Sequence, residues 1–162
     1  METTYAQTLT DEARIWIYQA DRLLNEQEIA CISRKLDKWQ SEWNTHGKPL
    51  YSSAWVEDNL FLILAVDESR QAASGCSIDS SVHFIRQIGS RININFFERM
   101  NFAYVNEEGQ IQLTSDKEMA RLHQKGVISD ETLFYDTTLS RKGDWQDRKL
   151  VPLKDSWHKR FL

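Results

Sequence analysis

The residues whose types and spacing could do chemistry are concentrated in one stretch of the chain, Asp67–Ser81. This stretch follows the most apolar run in the sequence, Leu60–Val66, and leads into a predicted helix that begins near Ser77. It therefore places two carboxylates at the end of a predicted strand and a cysteine, Cys76, at the start of a helix. Binding and catalytic residues often lie on such loops because the adjoining elements hold them in place. No signature within the stretch specifies a reaction.

The start of the predicted helix could bind a small anion. Backbone N–H groups in a first helical turn lack intrahelical partners, and the helix dipole adds positive potential there. Arg99, in the connection that follows the helix, could supply a cation, although the simpler expectation is that it pairs with a nearby acid. The candidate ligand-binding residues are therefore Asp67, Ser74, Gly75, Cys76, Ser77 and Arg99.

Cys76 has two interpretations. The positive potential at a helix start favours the thiolate, so Cys76 could be a catalytic nucleophile or redox sensor, with His46 or His158 as its partner. Neighbouring carboxylates oppose the thiolate. The simpler interpretation is a small packed residue just before a helix that Ser77 caps. The scattered histidines do not decide between the two.

Metal and cofactor sites are not indicated. Asp67, Glu68 and Asp79 could contact a divalent cation, but three acids without a recognised spacing are weak evidence, because an octahedral site needs several convergent oxygens. The histidines and cysteines show no zinc-ligand spacing. Lys48 is followed by Pro49, where a phosphate-binding loop needs Ser or Thr, and no Gly-rich dinucleotide motif occurs. We therefore expect neither a metal nor a cofactor.

Composition indicates an ordinary globular protein. The 162 residues are 41% hydrophobic and 27% charged, with a formal net charge of -4, so one domain with a sizeable core is expected. The charges form no basic stripe, which argues against nucleic-acid binding. The sequence contains no run of roughly 18 apolar residues, so no membrane span is expected. The polar N-terminus lacks a signal-peptide pattern. The two cysteines form no CxxC pair, so we expect a cytoplasmic protein with free thiols.

Apolar periodicity predicts the elements that must position these residues. The clearest is a helix that begins with a capping box at Asn25 and Glu28 and carries an apolar stripe. Turn residues at 57–59 and 106–109 predict two hairpins. The predicted strands are 14–19, 51–56, 60–66, 101–105, 110–113 and 132–135, and the predicted helices are 26–45, 77–90 and one from a capping box at 115–118 to Gly126, with an extended tail from Ser140.

The first six elements follow the order β-α-β-β-α-β, which suggests a single α+β domain over 13–162 with a ferredoxin-like core. To this core are added a hairpin strand, a third helix and the extended C-terminal tail, while 1–12 forms a flexible arm. We expect strands 14–19 and 60–66 to be adjacent, parallel and central, with both long helices on one face. The other face is apolar and needs cover. The third helix and the Trp-bearing tail could supply it, or a second copy in a homodimer.

Four strings are distinctive: Arg14–Gln19 (RIWIYQ), Ser74–Asp79 (SGCSID), Glu98–Asn101 (ERMN) and Asp155–Leu162 (DSWHKRFL). Together they resemble an uncharacterised bacterial family of about this length, over nearly the whole chain. Some members carry the label "ABC transporter ATPase", although this sequence has no Walker A motif. The resemblance implies no activity.

The sequence therefore favours a cytosolic, non-catalytic binding or accessory protein. Its site would lie at Asp67–Ser81, where it would hold a small anionic ligand or a protein partner. The alternative is a thiol-dependent enzyme that uses Cys76 with a histidine.

Overall fold

A computed structural model describes residues 9–162 and shows a mixed α and β architecture. The first half alternates long helices with strands, and the second half consists of short elements. In chain order the elements are β1 Arg14–Gln19, α1 Glu26–Glu42, β2 Asn44–Thr45, β3 Lys48–Pro49, β4 Ser52–Glu57, β5 Phe61–Val66, α2 Gly75–Ile92, β6 Asn101–Val105, β7 Ile111–Ser115, α3 Met119–Gln124, β8 Leu133–Tyr135, α4 Lys142–Arg148, β9 Leu150–Pro152, and two 3-10 helices, Leu153–Asp155 and Trp157–Phe161.

The first sheet has the strand order β1-β5-β4, and both pairings are antiparallel. The predicted adjacency of β1 and β5 is confirmed, but the predicted parallel pairing is wrong, since Arg14 lies opposite Val66 and Gln19 opposite Phe61. The physical reason is chain direction. After the α1 crossover, β4 runs parallel to β1. The β4–β5 hairpin then reverses the chain, so β5 runs antiparallel to both strands. Asp58 and Asn59 both have positive φ in that turn, a conformation that matches the twist of the flanking strands.

The second sheet has the order β7-β6-β8-β9 and is antiparallel throughout. It contains β6, the strand that a ferredoxin-like fold would add beside β1. The predicted central position of β1 is therefore wrong, because β1 is an edge strand of a three-stranded sheet. A complete ferredoxin-like sheet is not confirmed. The predicted 101–105 hairpin and the strand near 132–135 are present in this second sheet.

Each of the two long helices begins with a capping box. At α1 the Asn25 side chain accepts from the Glu28 N–H and the Glu28 carboxylate accepts in return, as predicted. The helix ends at Glu42 rather than residue 45. At α2 the N-cap is Ser74, three residues before the predicted cap, and Ser77 is its partner inside the helix. The sequence alone does not show which of two serines three residues apart is the N-cap.

The core lies between α1 and α2 on one side of the first sheet and the second half of the chain on the other. Every residue of β5 is buried. Trp16 contacts Trp43, beside the end of α1, at 6.1 Å between ring centroids. On the opposite face Phe61 contacts the rings of Tyr135 and Trp145 at 4.7 and 5.3 Å. The apolar face is thus covered within the chain.

The predicted extended tail is instead built from short helices and a strand. Trp145 lies in α4 and is 1% exposed, while Trp157 and Phe161 lie in a 3-10 helix. Both of these rings contact Phe102 of β6, at 5.4 and 5.2 Å. A second apolar cluster therefore forms on the far face of the second sheet. The predicted capping box at 115–118 is wrong, because α3 begins after Glu118 without a side-chain cap.

The part of the chain before β1 contacts α4. The N–H of Gly143 donates to the backbone oxygen of Asp11 at 2.9 Å, and a side chain at position 143 would meet Asp11 at 2.8 Å. Lys142, which is buried, donates from Nζ to the Leu9 oxygen at 3.2 Å. Residues 1–8 of the predicted arm lie outside the described residues. Within 9–162, no helix combines the length and apolarity that a membrane crossing requires.

Candidate functional site

The carboxylates of the predicted Asp67–Ser81 site are engaged in local bonds. Asp67 accepts from the N–H and hydroxyl of Ser69, and the hydroxyl bond lowers the pKa of Asp67. Glu68 accepts from the Ala73 N–H at 3.0 Å and pairs with Arg14 at 3.4 Å. These acids therefore hold the loop in shape and add negative charge to it.

The start of α2 is also closed on itself. Ser74 Oγ accepts from the Ser77 N–H at 3.2 Å, and Ser77 Oγ donates to the Ser74 oxygen at 2.8 Å. The backbone oxygen of Ser77 accepts from the Trp43 indole at 2.9 Å. Gly75 and Cys76 occupy the first helical positions and are exposed. The hydroxyls that were expected to bind a ligand thus serve as helix caps.

The candidate histidines lie in two different environments. His46 is exposed in the β2–β3 turn with a φ of 50°. His158 is 1% exposed, and its ring stacks on Trp157 at 4.1 Å while Nδ1 contacts the Ser156 hydroxyl. Burial lowers the pKa of His158 to about 4. Across residues 9–162, no hydrogen bond joins either histidine to Cys76.

A cavity of about 370 Å³ lies at the outer edge of β1, between the first sheet and the second half of the chain. This volume falls within the usual range of small-molecule pockets, roughly 300–1,000 Å³. We call it the β1 cleft. Its walls include the end of β1, the connection between α2 and β6, the loop after β8 and a 3-10 helix. Among the residues that line it are Ile17, Tyr18, Gln19, Arg99, Thr138 and Trp157.

The end of β1 leaves backbone groups directed into the cleft. In an antiparallel strand, successive residues point their N–H and C=O groups alternately to opposite sides. The N–H of Ile15 donates to Ser140 at 2.9 Å on the side away from β5. Ile17, two residues further along, must direct its N–H and C=O to the same side. There it lines the cleft, and no backbone group among residues 9–162 pairs with it on that side.

Polar side chains converge on the same space. Arg99 is exposed and forms no ion pair with any residue in 9–162. The Gln19 amide donates to the Asn101 oxygen at 2.8 Å, which fixes its orientation. The indole Nε1 of Trp157 is buried and has no hydrogen-bond partner within the described chain. A buried donor without a partner costs about 1–3 kcal/mol, but this nitrogen has almost no accessible surface and is therefore not a contact that the cleft offers to a ligand.

One wall of the cleft is aromatic. The rings of Tyr18 and Phe97 meet edge to face at 5.5 Å. Burial raises the pKa of Tyr18, although a hydrogen bond between its hydroxyl and Ser81 acts in the opposite sense. The cleft thus combines an outward backbone donor, one cation, Arg99, one acid, Glu98, and an aromatic wall. An arginine and a backbone N–H are donors that suit an anionic ligand.

A smaller groove of about 250 Å³ lies between α1 and α2. Its floor is formed by Trp39 and Phe84, which stack at 4.8 Å with an interplanar angle of 9°. Lys35, Lys38 and Arg91 border it. Of these three cations, Lys38 and Arg91 are exposed, whereas Lys35 is partly buried.

Of the predicted site residues, the structure places Arg99 in the β1 cleft and the others elsewhere. Arg14 pairs with Val66 at one end of β1, next to Asp67, whereas Gln19 and the cleft lie at the other end. The site predicted from the sequence therefore combined residues that lie at opposite ends of the first sheet. Gln19 and Trp157 were missed because nothing in the sequence shows that β6 leaves the edge of β1 open.

Comparison with protein-family models, curated proteins and solved structures yields no match to this chain. In residues 9–162, no three histidine, cysteine, aspartate or glutamate side chains are grouped in a way that could hold a metal ion.

Proposed function

We propose that the protein is a cytosolic, non-catalytic binding protein that holds a small organic anion in the β1 cleft. The observation that carries the proposal is that Arg99, which forms no ion pair within residues 9–162, lines the same cavity as the outward backbone of Ile17. An arginine provides a forked pair of N–H donors that fits a carboxylate. The outward N–H of Ile17 supplies a further donor.

The β1 cleft fits an anion better than the loop at Asp67–Ser81. In the loop, Asp67 and Glu68 repel an anion and compete for the same donors. In the cleft, Glu98 is the nearby acid of the lining, and its Oε1 accepts from the Met100 N–H at 3.0 Å. The aromatic wall formed by Tyr18 and Phe97 favours a ligand with a planar apolar body.

The experiment is a titration with benzoate, which has one carboxylate and one ring. Binding is monitored by NMR through the ¹⁵N–¹H signal of the Trp157 indole. We expect that signal to shift and saturate. Arg99→Gln should weaken binding at least tenfold, because the charged partner is lost. Arg34→Gln, at an exposed position on α1 outside the cleft, is the matched control and should leave the affinity unchanged.

Benzamide, which has the same shape without the charge, should bind more weakly than benzoate. Equal affinities for benzoate in the Arg99 and Arg34 variants would overturn the assignment of Arg99. A Trp157 signal that does not move at any benzoate concentration would overturn the proposal for this ligand class.

A further inference from the structure

The two main sheets have four edge strands, and they differ in how their outer sides are protected. The outer side of β1 bonds to Ser140 over its first half. The outer side of β4 is reached by α1, where the Gln40 amide donates to the Ser52 oxygen at 2.8 Å. β9 has three residues and ends in Pro152. The fourth edge, β7, is five residues long, and no strand within 9–162 pairs with its outer side.

The sequence of β7, Ile-Gln-Leu-Thr-Ser, contains none of the features that usually prevent edge pairing. It has no charge, no proline and no bulge in its register with β6. Natural edge strands normally carry at least one such feature, because an unprotected edge is a template for another strand. The edge of β7 is therefore suited to strand addition.

The pairing with β6 determines which groups of β7 point outward. The N–H of Asn106 donates to the Gln110 oxygen at 2.9 Å, and the N–H of Asp116 donates to the Met100 oxygen at 3.2 Å. The backbone N–H and C=O groups of the even-numbered residues of β7 therefore face β6, and those of the odd-numbered residues point to the outer side of the sheet. These residues are Ile111, Leu113 and Ser115.

We propose that β7 pairs with β7 of a second copy of this chain, antiparallel and about a twofold axis at Leu113. In that register Leu113 lies opposite Leu113 of the second copy, and Ile111 lies opposite its Ser115. Every outward N–H then meets an outward C=O. The Leu113 pair exchanges two bonds, and each Ser115 N–H donates to the other chain's Ile111 oxygen. The Ser115 oxygen already accepts from the Glu118 N–H at 3.0 Å, so the central bonds contribute most.

Charge favours the same antiparallel arrangement. Lys117 follows β7, and Glu108 lies in the turn before it; both are exposed. About a twofold axis at Leu113, Lys117 and Glu118 of one chain approach Glu108 of the other, and the charge of Glu118 is already balanced by its ion pair with Arg121. A parallel pairing would place like charges together. A five-residue strand pair is a small contact, at or below roughly 1,200 Å², so the dimer is reversible and depends on concentration.

Sedimentation equilibrium over a wide range of protein concentration tests the proposal. We expect a monomer–dimer equilibrium for the natural chain. Ser115→Pro removes an outward donor at the end of the strand without removing a bond to β6, and should weaken association at least tenfold. Gln112→Ala, on the same strand, is the control and should associate like the natural chain, because the Gln112 side chain is exposed and its backbone faces β6.

Amide hydrogen exchange of the natural chain gives a second readout, which does not require that any variant folds. Protection of the Leu113 and Ser115 N–H groups should increase with protein concentration, while that of Gln112 should be high throughout. A monomer at every concentration would overturn the proposal. So would a dimer in which Leu113 exchange is independent of concentration, since that dimer uses another surface.

Discussion

At the scale of single residues, His158 shows how burial determines the chemistry of a side chain. Its ring lies among Trp157, Phe102 and Phe134, with centroid distances of 4.1, 4.7 and 5.0 Å. Burial lowers the pKa of His158 from 6.5 to about 4, although Asp136 acts in the opposite sense. The histidine is therefore a neutral part of the second apolar cluster at pH 7.

This shift predicts a pH dependence of the stability. Because the folded pKa lies below the unfolded one, His158 contributes full stability above about pH 6.5, and that stability is lost progressively as the pH falls towards about 4. The loss at pH 4 relative to pH 7 should be about 3 kcal/mol. Urea denaturation at several pH values measures it. His158→Phe removes the titration, so its stability should fall less over this window; equal slopes for both chains would contradict the prediction.

The two cysteines differ in exposure, and this difference predicts their reactivity. Cys76 is exposed in the first turn of α2, whereas Cys31 is partly buried in α1. We expect Cys76 to be alkylated faster by limiting iodoacetamide, as mass spectrometry of the peptides would show. Comparable protection of both thiols would eliminate the thiol-enzyme hypothesis, because a nucleophile must be accessible.

At the scale of elements, the β4–β5 hairpin is held to the second half of the chain by two acidic side chains, Glu57 and Asp58. Glu57 accepts from the indoles of Trp55 and Trp145 at 2.9 and 2.7 Å and from Lys149 at 2.8 Å. The neighbouring Asp58 accepts from Lys149 and from the Tyr135 hydroxyl, both at 2.9 Å. Every bond except that of Trp55 joins the hairpin to β8, α4 or the residue that precedes β9.

Glu57→Gln should destabilise the fold by about 2–3 kcal/mol, because an amide nitrogen replaces a carboxylate oxygen and must face a donor. The control is Glu107→Gln, at an exposed site in the β6–β7 turn, which should stay within about 0.5 kcal/mol of the natural chain. Chemical denaturation measures both. If the Glu57 variant matches its control, the hydrogen bonds of Glu57 contribute little and the packing of Trp145 holds the two parts together.

Elements that carry their own local signals could be predicted from the sequence. Helix α1 has a capping box and an apolar stripe, and the β4–β5 hairpin has an Asp58-Asn59 turn. The pairing of β6 could not be predicted, because a strand's neighbours depend on long-range packing rather than on its own residues. That pairing leaves the outer edge of β1 free. For this reason the sequence indicates Arg99 as a candidate ligand-binding residue but does not indicate the cleft that surrounds it.

At the scale of the whole molecule, the C-terminal residues complete the second sheet. One face of that sheet packs on the main core through Ala103 and Tyr135, and the other carries Phe102 and Phe134. The latter face is covered by α3 and by the 3-10 helix Trp157–Phe161. Without the last residues, this face of the sheet would be exposed to water, whereas the main core would keep its cover.

We therefore expect a chain that ends at Lys154 to lose much of its stability. Burial of one large aromatic side chain stabilises a fold by roughly 2–3 kcal/mol, and the truncation removes both Trp157 and Phe161 from Phe102. Typical domains have only about 5–15 kcal/mol in total. Thermal melting, with dye binding as a report of exposed apolar surface, measures the effect, and Trp157→Ala is the milder companion variant. Because the lost contacts lie on the second sheet, hydrogen exchange should accelerate in β6 and β8 before β5. A truncated chain that melts within a few degrees of the full chain would show that α3 alone covers this face.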